Sequence, residues 1–439
     1  MSLIIPLIIL FALLILGLSF VRYKFAIVLY VSYMILVGYS YINLPVWSFS
    51  YISVNIVLLG AFIFNFKIKN DMSLDFSVIK PFLLLFASLF FITLFADMAS
   101  SSYQFRYWRL DFMRTCILAF IIWNVSINDE KFIKNVKWSL IISILIAGTY
   151  AILIMRLGGA NPYTSFLSSY FGSGVDYSEF YTADYMTRIR NQGTMNHPMA
   201  WVLYLSAFCV FFLTLFLKER KRLYLFLLCF VAFNIVIANV RTGIAASGIA
   251  LAYIYIRYNK INIKTIFYGT AIVVIVALFV AANEELSQRF LSLIDVSGTK
   301  TDVEGSSFEM RLNQFNGCLD EISNSVLFGN GYAWTTHYMS KNIEHPVILM
   351  FESLIYVVLC NHGIAGVVIW LIFAVMLFKV PRKILKIKKN VYCVDGLVIF
   401  FFTYTIGTGL YDYLAPFALF YSFLLGYLYN DEKREINLL

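Results

Sequence analysis

Apolar runs of about 17–22 residues recur along the chain, and they constrain its fold more than any other feature. Each run is long enough for one helix to cross roughly 30 Å of hydrocarbon. The 439 residues are 61% hydrophobic and 13% charged, whereas a soluble protein carries roughly 25% charge. Lipid permits only helices or closed barrels, because every backbone amide must be paired internally, and barrel strands would alternate polar and apolar residues. The sequence therefore predicts an all-α, polytopic membrane helical bundle.

We predict about 12–14 transmembrane helices, 13 by our own division, in a single transmembrane domain covering residues 1–439. The predicted spans lie near residues 3–20, 25–42, 49–66, 81–97, 112–127, 137–155, 198–217, 223–239, 243–257, 266–282, 351–379, 391–409 and 413–430. Residues 347–379 could instead form two short helices broken at Asn361-His362-Gly363. We favour one crossing, because two would place the basic run from Lys379 to Lys389 outside.

Charge indicates the orientation of these helices. The formal net charge is +9, and the basic residues sit mainly in short loops that fall on one side of the predicted membrane. That placement is typical of cytoplasmic loops and does not indicate nucleic-acid binding. Two long polar loops, 156–197 and 283–350, then lie outside, and the second is rich in acidic residues and predicted to be partly helical. The C-terminus is predicted to be cytoplasmic.

Four arginines on the outer side need an explanation, since positive charge is normally kept off that side. Arg188 and Arg190 end the first long loop, Arg241 lies in a short turn between two apolar runs, and Arg311 lies in the second long loop. A guanidinium presents a planar fork of donors that suits phosphate and carboxylate. The pattern favours an anionic, lipid-linked substrate such as a diphosphate. The alternative is that each arginine caps a helix or pairs with a loop acid. This alternative is weakest for Arg241, because its local sequence offers no acid.

Two residues are candidates for proton transfer. Glu352 lies within an apolar run at the outer edge of a predicted span, and His345 lies seven residues earlier. Either could deprotonate an attacking hydroxyl group. The alternative for Glu352 is a structural pair with an arginine. The sequence contains no metal-ligand cluster, glycine-rich nucleotide loop or serine-hydrolase elbow, so it predicts no metal or nucleotide cofactor and disfavours a nucleotide-driven pump.

Four stretches of the sequence form an ordered set of motifs. The first is Arg190-Asn191-Gln192-Gly193-Thr194-Met195-Asn196-His197-Pro198, and the second is Val240-Arg241-Thr242-Gly243. The third runs from Arg311 to Gly329-Asn330-Gly331, and the fourth joins Glu352-Ser353 to Gly363-Ile364-Ala365-Gly366. Taken in order, these stretches resemble the O-antigen polymerase and ligase family of bacterial membrane glycosyltransferases. Where ligases of that family carry a histidine, this chain has Glu352. That departure favours a polymerase of O-antigen or capsular repeat units.

The resemblance implies inverting transfer between undecaprenyl-diphosphate-linked oligosaccharides at the periplasmic face of the bacterial inner membrane, in the lipid bilayer. It implies that Arg190, Arg241 and Arg311, with Arg188, hold the leaving diphosphate, and that Glu352, or else His345, is the base. It also implies a chain-length regulator protein as a partner, and lipopolysaccharide or a related polysaccharide as the product. The alternatives are a ligase that moves the glycan onto lipid A-core, and, in a different class, a transporter or flippase for lipid-linked oligosaccharides. Sparse intramembrane charge, clustered at one face, disfavours the flippase.

Overall fold

The structure is a computed structural model that describes most of the chain. The described residues are 4–38, 41–43, 48–71, 73–96, 101–157, 161–165, 190–195, 197–259, 308–341, 351–409 and 413–437. The predicted span 266–282, most of both long outer loops, Arg188 and His345 lie outside them.

Helices account for most of the described residues. They are α1 Ile4–Val21, α2 Tyr23–Leu36, α3 Tyr51–Phe62 with a π-helical continuation Ile63–Ile68, α4 Lys80–Thr93, α5 Ser101–Asn128, α6 Glu130–Arg156, α7 Pro198–Glu219, α8 Arg222–Ala238, α9 Arg241–Asn259, α10 Phe308–Glu321, α11 Trp334–Ser340, α12 Leu354–Ile384, α13 Lys388–Thr408 and α14 Leu414–Asn437. The predicted all-α bundle is confirmed. A two-stranded antiparallel hairpin, β1 Tyr41–Asn43 and β2 Ser48–Ser50, leads into α3 and was not predicted.

Five of the described helices, α5, α6, α7, α12 and α13, are long and apolar enough to cross a membrane by length and composition. Shorter apolar helices lie at Pro6–Val21, Tyr23–Leu36, Val54–Ile68, Lys80–Thr93 and Arg222–Ala238. The chain is therefore a multi-pass membrane protein.

Ion pairs mark one end of the bundle, which we call the basic end. The pairs are Lys24–Asp129 at 2.5 Å, Lys137–Glu219 at 3.1 Å, Lys218–Asp431 at 2.5 Å and Arg382–Asp395 at 2.7 Å. The backbone N–H groups of Lys386 and Ile387 donate to the Glu432 carboxylate at the same end. The basic run from Lys379 to Lys389 thus lies with the other basic clusters, as a single crossing by α12 requires.

The core is organised around α7, whose apolar stretch is 89% buried. Two of its aromatic rings pack against α14. The ring centroids of Phe208 and Phe420 lie 5.0 Å apart in an edge-to-face arrangement, and those of Phe211 and Phe423 lie 5.6 Å apart in a tilted one. Small residues allow other helices to approach closely: Gly396 of α13 lies against Ile254 of α9. In a membrane the hydrophobic effect does not drive helices together, because lipid is as apolar as the helix surface. Membrane helices therefore associate through van der Waals packing, which small residues allow by letting the backbones approach closely.

A break within α12 is closed by a loop from the preceding segment. Gly363 has a non-helical conformation (φ 61°, ψ −159°) inside the helix. The N–H groups of Ile364 and Ala365 donate to the carbonyls of Val326 and Leu327, each at 3.0 Å. In return, the Cys360 and Asn361 carbonyls accept from the N–H groups of Asn330 and Gly331, each at 2.9 Å. The loop 326–331 thereby satisfies backbone groups that would cost several kcal/mol each if left unpaired in a membrane.

Candidate functional site

The turn that carries Arg190 is fixed by buried hydrogen bonds to three neighbouring segments. The Asn191 amide donates to the Ala151 carbonyl near the end of α6. The Thr194 hydroxyl donates to the Ile35 carbonyl of α2 at 2.7 Å, and the Gln192 amide donates to the Thr164 hydroxyl. The polar Asn-Gln-Gly-Thr sequence after Arg190 therefore serves to anchor the turn. It holds the half-buried Arg190 at the end of the bundle opposite the basic end.

Gly193 is required by the geometry of this turn. Its φ is +57°, in the left-handed region that favours glycine, and a Cβ there would lie 2.7 Å from the ring of Trp201. The Asn191 side chain accepts from the Gly193 N–H at 2.9 Å, which closes the turn. The spacing between Arg190 and Gly193 in the sequence motif thus reflects a turn pressed against α7.

His197 caps α7 and lies within the electrostatic reach of Arg190. Its Nδ1 accepts a hydrogen bond from the Met199 N–H at 3.1 Å, and Pro198 follows at the first helical position. Burial, and then the charge of Arg190, lower the pKa of His197 to about 4. The ring is therefore neutral at neutral pH, and the role of His197 is to begin the helix.

Arg241 opens α9 where that helix crosses the last turns of α13. The neighbouring Thr242 side chain packs directly on Gly407, and Gly243 lies against Val202 of α7 and the ring of Tyr404. No larger residue than glycine fits at 243 or 407 without displacing these side chains. The contacts bring the half-buried Arg241 to the carboxyl end of α13.

Arg311 and Glu352 meet at the same helix end. Arg311 Nη1 and Nη2 donate to the carbonyls of Glu352 and Gly407, respectively, both at 3.3 Å. Arg311 Nη2 also lies 3.8 Å from Glu352 Oε2. The Tyr356 hydroxyl donates to the Arg311 carbonyl at 2.8 Å and steadies α10 against α12. Contrary to the apolar setting expected from its sequence, the Glu352 side chain is 32% exposed. Its pair with Arg311 is the alternative that the sequence analysis gave for this residue.

The segments that carry three predicted arginines all reach the carboxyl end of α13. Arg311 donates to the Gly407 carbonyl, and Thr242, the residue after Arg241, packs on Gly407. The Tyr404 hydroxyl donates to the carbonyl of Met199, in the first turn of the helix that follows the Arg190 turn. Gly409 follows with φ +81°, and a Cβ there would overlap the carbonyl oxygen of Phe351 and the backbone of 352–353. We call this region, defined by Arg190, Arg241, Arg311 and Glu352, the arginine end. Arg188 and His345, also predicted for the site, lie outside the described residues.

A second polar cluster near this end was missed by the sequence reasoning. The Tyr332 hydroxyl donates to Asp111 Oδ2 at 3.0 Å, and the Tyr332 ring lies 5.3 Å from the ring of His362, centroid to centroid. His362 is fully buried at the α12 break. Asp111 and Arg114 line a small cavity with Tyr332. Their spacing of three residues, which places both on one face of a helix, was the available signal. It was overlooked because the predicted span began at 112, whereas α5 begins at Ser101.

The chemistry available at the arginine end is anion binding combined with proton transfer. Three guanidinium groups supply fixed positive charge and directed donors, and the Glu352 carboxylate is partly open to solvent. No group of three or more His, Cys, Asp or Glu side chains is arranged to hold a metal ion within the described residues.

Comparison with known families supports the interpretation drawn from the motifs. Residues 226–371 match the family model described as O-antigen ligase, a stretch that contains Arg241, Arg311 and Glu352. Among curated proteins, no match to the chain was found. The predicted likeness to the O-antigen polymerase and ligase family is confirmed. The match supports an O-antigen polymerase- or ligase-type function in general, in a membrane glycosyltransferase-like enzyme, and does not distinguish between the two.

Proposed function

We propose that this chain, which carries an O-antigen ligase-type domain at residues 226–371, is a polymerase that joins polyprenyl-diphosphate-linked repeat units at its arginine end. The arginine end would face the periplasm of a bacterial inner membrane, because the opposite end carries the basic clusters that normally remain in the cytoplasm. The carrier lipid would be undecaprenyl diphosphate, as in the family.

The observation that carries this proposal is that the segments bearing Arg190, Arg241, Arg311 and Glu352 meet around the end of α13, where Arg311 pairs with Glu352. The four residues come from four separate segments, so helix capping within one element does not explain why all of them lie at this end. A diphosphate carries several negative charges, and fixed guanidinium donors stabilise such charge most strongly where water is partly excluded.

The proposed step is an inverting displacement. A sugar hydroxyl of one lipid-linked glycan attacks the anomeric carbon of the sugar attached to the second lipid, and its proton passes to the Glu352 carboxylate. The new glycosidic bond forms as the bond from the anomeric carbon to the diphosphate oxygen breaks. The electron pair leaves with the polyprenyl diphosphate, whose charge the arginines would stabilise. The sugar–diphosphate bond is already activated, so the step needs no nucleotide.

The Arg311–Glu352 pair suggests how substrate would prepare the base. Arg311 Nη2 lies 3.8 Å from Glu352 Oε2 and also donates to the Gly407 carbonyl. An incoming diphosphate would compete with Glu352 for this guanidinium. Drawing Arg311 toward the diphosphate would free the carboxylate to accept a proton.

The second candidate function is a ligase, which the description of the matching family model favours. A ligase would transfer the glycan onto a different acceptor, such as lipid A-core. Glu352 stands where ligases of the family carry a histidine, and this residue favours the polymerase.

An elongation assay separates the candidates. Purified protein in lipid vesicles is given lipid-linked repeat units alone, and the glycans are resolved by length. A ladder of longer products supports the polymerase. Product formation only after a lipid A-core acceptor is added supports the ligase. Movement of lipid-linked glycan across the vesicle membrane without lengthening supports a transporter.

Replacing Glu352 by Gln tests the assignment of the base. The amide keeps the size of the side chain but accepts no proton, so we expect elongation to fall by roughly 100-fold or more, the usual contribution of a general base. Glu130→Gln is the control, because Glu130 lies at the basic end, paired with Arg434. Near-normal elongation by Glu352→Gln together with a large loss in His345→Ala would transfer the role of base to His345.

A further inference from the structure

A groove lined by described residues lies at the basic end, far from the arginine end. It has a volume of about 440 Å³ and lies between the α1–α2 turn, the segment after α3 and the start of α6. Ligand pockets usually measure roughly 300–1,000 Å³, so the groove is large enough for a phospholipid headgroup.

Four cations line this groove and only one acid accompanies them. The cations are Arg22, Lys24, Lys69 and Lys131, and the acid is Asp129. A concave surface with this excess of positive charge attracts anions, and it does so more strongly beside the low-dielectric bundle than on an open surface.

Asp129 is already committed to other partners. Its Oδ2 pairs with Lys24 at 2.5 Å, and its Oδ1 accepts from the Phe132 N–H at 3.1 Å, which caps α6. Burial alone would raise the pKa of Asp129, but the hydrogen bonds from Lys24 and Phe132 lower it. Within the described part of the chain, no acid forms an ion pair with the side chains of Arg22, Lys69 or Lys131.

Apolar side chains continue the groove onto the outer surface of the bundle. Val21 and Phe25 line it and are 79% and 47% exposed. Phe64 and Ile68, from the π-helical turn next to Lys69, are 60% and 67% exposed. A free phosphate ion would gain nothing from these surfaces, whereas the acyl chains of a lipid would cover them.

We propose that this groove binds the phosphate headgroup of an anionic phospholipid, with Arg22, Lys69 and Lys131 as its free cations and with the acyl chains along Val21 and Phe25. Basic pockets between membrane helices are known to hold acidic headgroups in this way. The proposal is independent of the proposed glycosyl transfer.

A matched pair of double variants tests the site. Lys69→Gln/Lys131→Gln removes two groove cations, and Lys67→Gln/Lys134→Gln removes two neighbouring lysines, on the same two segments, that do not line it. The purified full-length proteins are mixed with phosphatidylglycerol or phosphatidylcholine, and retained lipid is counted by native mass spectrometry. Thermal unfolding of each variant checks that it remains folded.

We expect wild type and the control to retain phosphatidylglycerol in preference to phosphatidylcholine, and the groove variant to retain about tenfold less, which corresponds to 1.4 kcal/mol. Arg22→Gln/Lys69→Gln provides a second groove variant with the same expectation. Equal losses in groove and control variants would show a general surface-charge effect and overturn the proposal. Equal retention of phosphatidylcholine, or displacement of phosphatidylglycerol by millimolar inorganic phosphate, would also overturn it.

Discussion

Arg311 is held by groups from two different segments, the residues just before α12 and the end of α13, and its guanidinium fork explains how one side chain can contact both. The Nη1 atom donates to the Glu352 carbonyl before α12, while Nη2 donates to the Gly407 carbonyl in α13 and faces the Glu352 carboxylate. A lysine ammonium carries the same charge at a single point and cannot span these acceptors with the same directed pair of donors.

Replacing Arg311 by Lys should therefore separate charge from geometry. We expect elongation to fall by about tenfold, with the lost directed contacts worth about 1.4 kcal/mol, and Arg311→Ala to lose more. Both variants are assayed for elongation beside Lys67→Gln, which changes a surface lysine at the basic end. Full activity in Arg311→Lys would mean that position 311 supplies charge alone.

His197 caps α7 and also makes the stability of the fold depend on pH. Its folded pKa of about 4 lies below the ordinary value of 6.5, so the unfolded state binds more protons between these pH values. The contribution of His197 to stability is fully present above pH 6.5 and is lost as the pH falls toward 4. His197→Asn should keep the cap, because asparagine is also a good N-cap residue, but should remove this pH dependence.

The measurement is the melting temperature in detergent between pH 7.5 and pH 5. We expect it to fall more steeply on acidification for wild type than for His197→Asn, since all other titrating groups are shared. Equal slopes would show that His197 has no depressed pKa in the folded protein.

The α12 break and the loop 326–331 form one structural unit, although they belong to two separate sequence motifs. Gly329 has φ +69°, and a Cβ on it would lie 2.5 Å from the backbone nitrogens of His362 and Gly363. A Cβ on Gly363 would lie 2.5 Å from the Val326 and Leu327 carbonyl oxygens. The two glycine motifs therefore exist because two backbones pair directly, with no space for side chains between them.

Substituting alanine at Gly363 should destabilise the fold by roughly 3 kcal/mol, because the conformation is almost exclusive to glycine and the methyl group would separate the paired backbones. Thermal unfolding in detergent measures the effect. The control is Gly248→Ala in α9, where the added methyl group meets open space. We expect this control to be neutral or slightly stabilising, since alanine favours the helix. A melting temperature for Gly363→Ala equal to that of the control would contradict the paired-backbone account.

Local signals predicted the beginnings of some helices and failed for others. The start of α7 was predicted at 198 because Pro198 is a local signal, and the cap formed by His197 agrees. The start of α5 was missed by eleven residues, because Arg106, Arg109 and Asp111 interrupt the apolar pattern there. The Asp111 carboxylate accepts from Tyr332, more than two hundred residues away, and no local pattern contains that contact.

The bundle as a whole has two chemically distinct ends, and the sequence predicted this division better than it predicted the site. Apolar runs and basic clusters follow from the requirements of lipid, so the positions of most described helices and the collection of basic clusters at one end could be inferred directly. The sequence motifs named the arginines, but the meeting of the segments that carry them depends on how α9, α10 and α12 pack around the end of α13. The sequence offered a pair of Glu352 with an arginine as an alternative, but it did not identify the partner, because Arg311 lies forty-one positions away.

Binding of a polyprenyl diphosphate to purified variants tests the central claim most directly. Arg241 begins α9 at the arginine end and Arg257 lies in the last turn of the same helix at the basic end, stacked on Tyr392. Arg241→Gln and Arg257→Gln are therefore matched changes of charge at opposite ends of one helix. We predict that Arg241→Gln weakens binding by about tenfold or more, while Arg257→Gln binds like wild type. Equal affinities for the two variants, or a loss confined to Arg257→Gln, would contradict a diphosphate site at the arginine end.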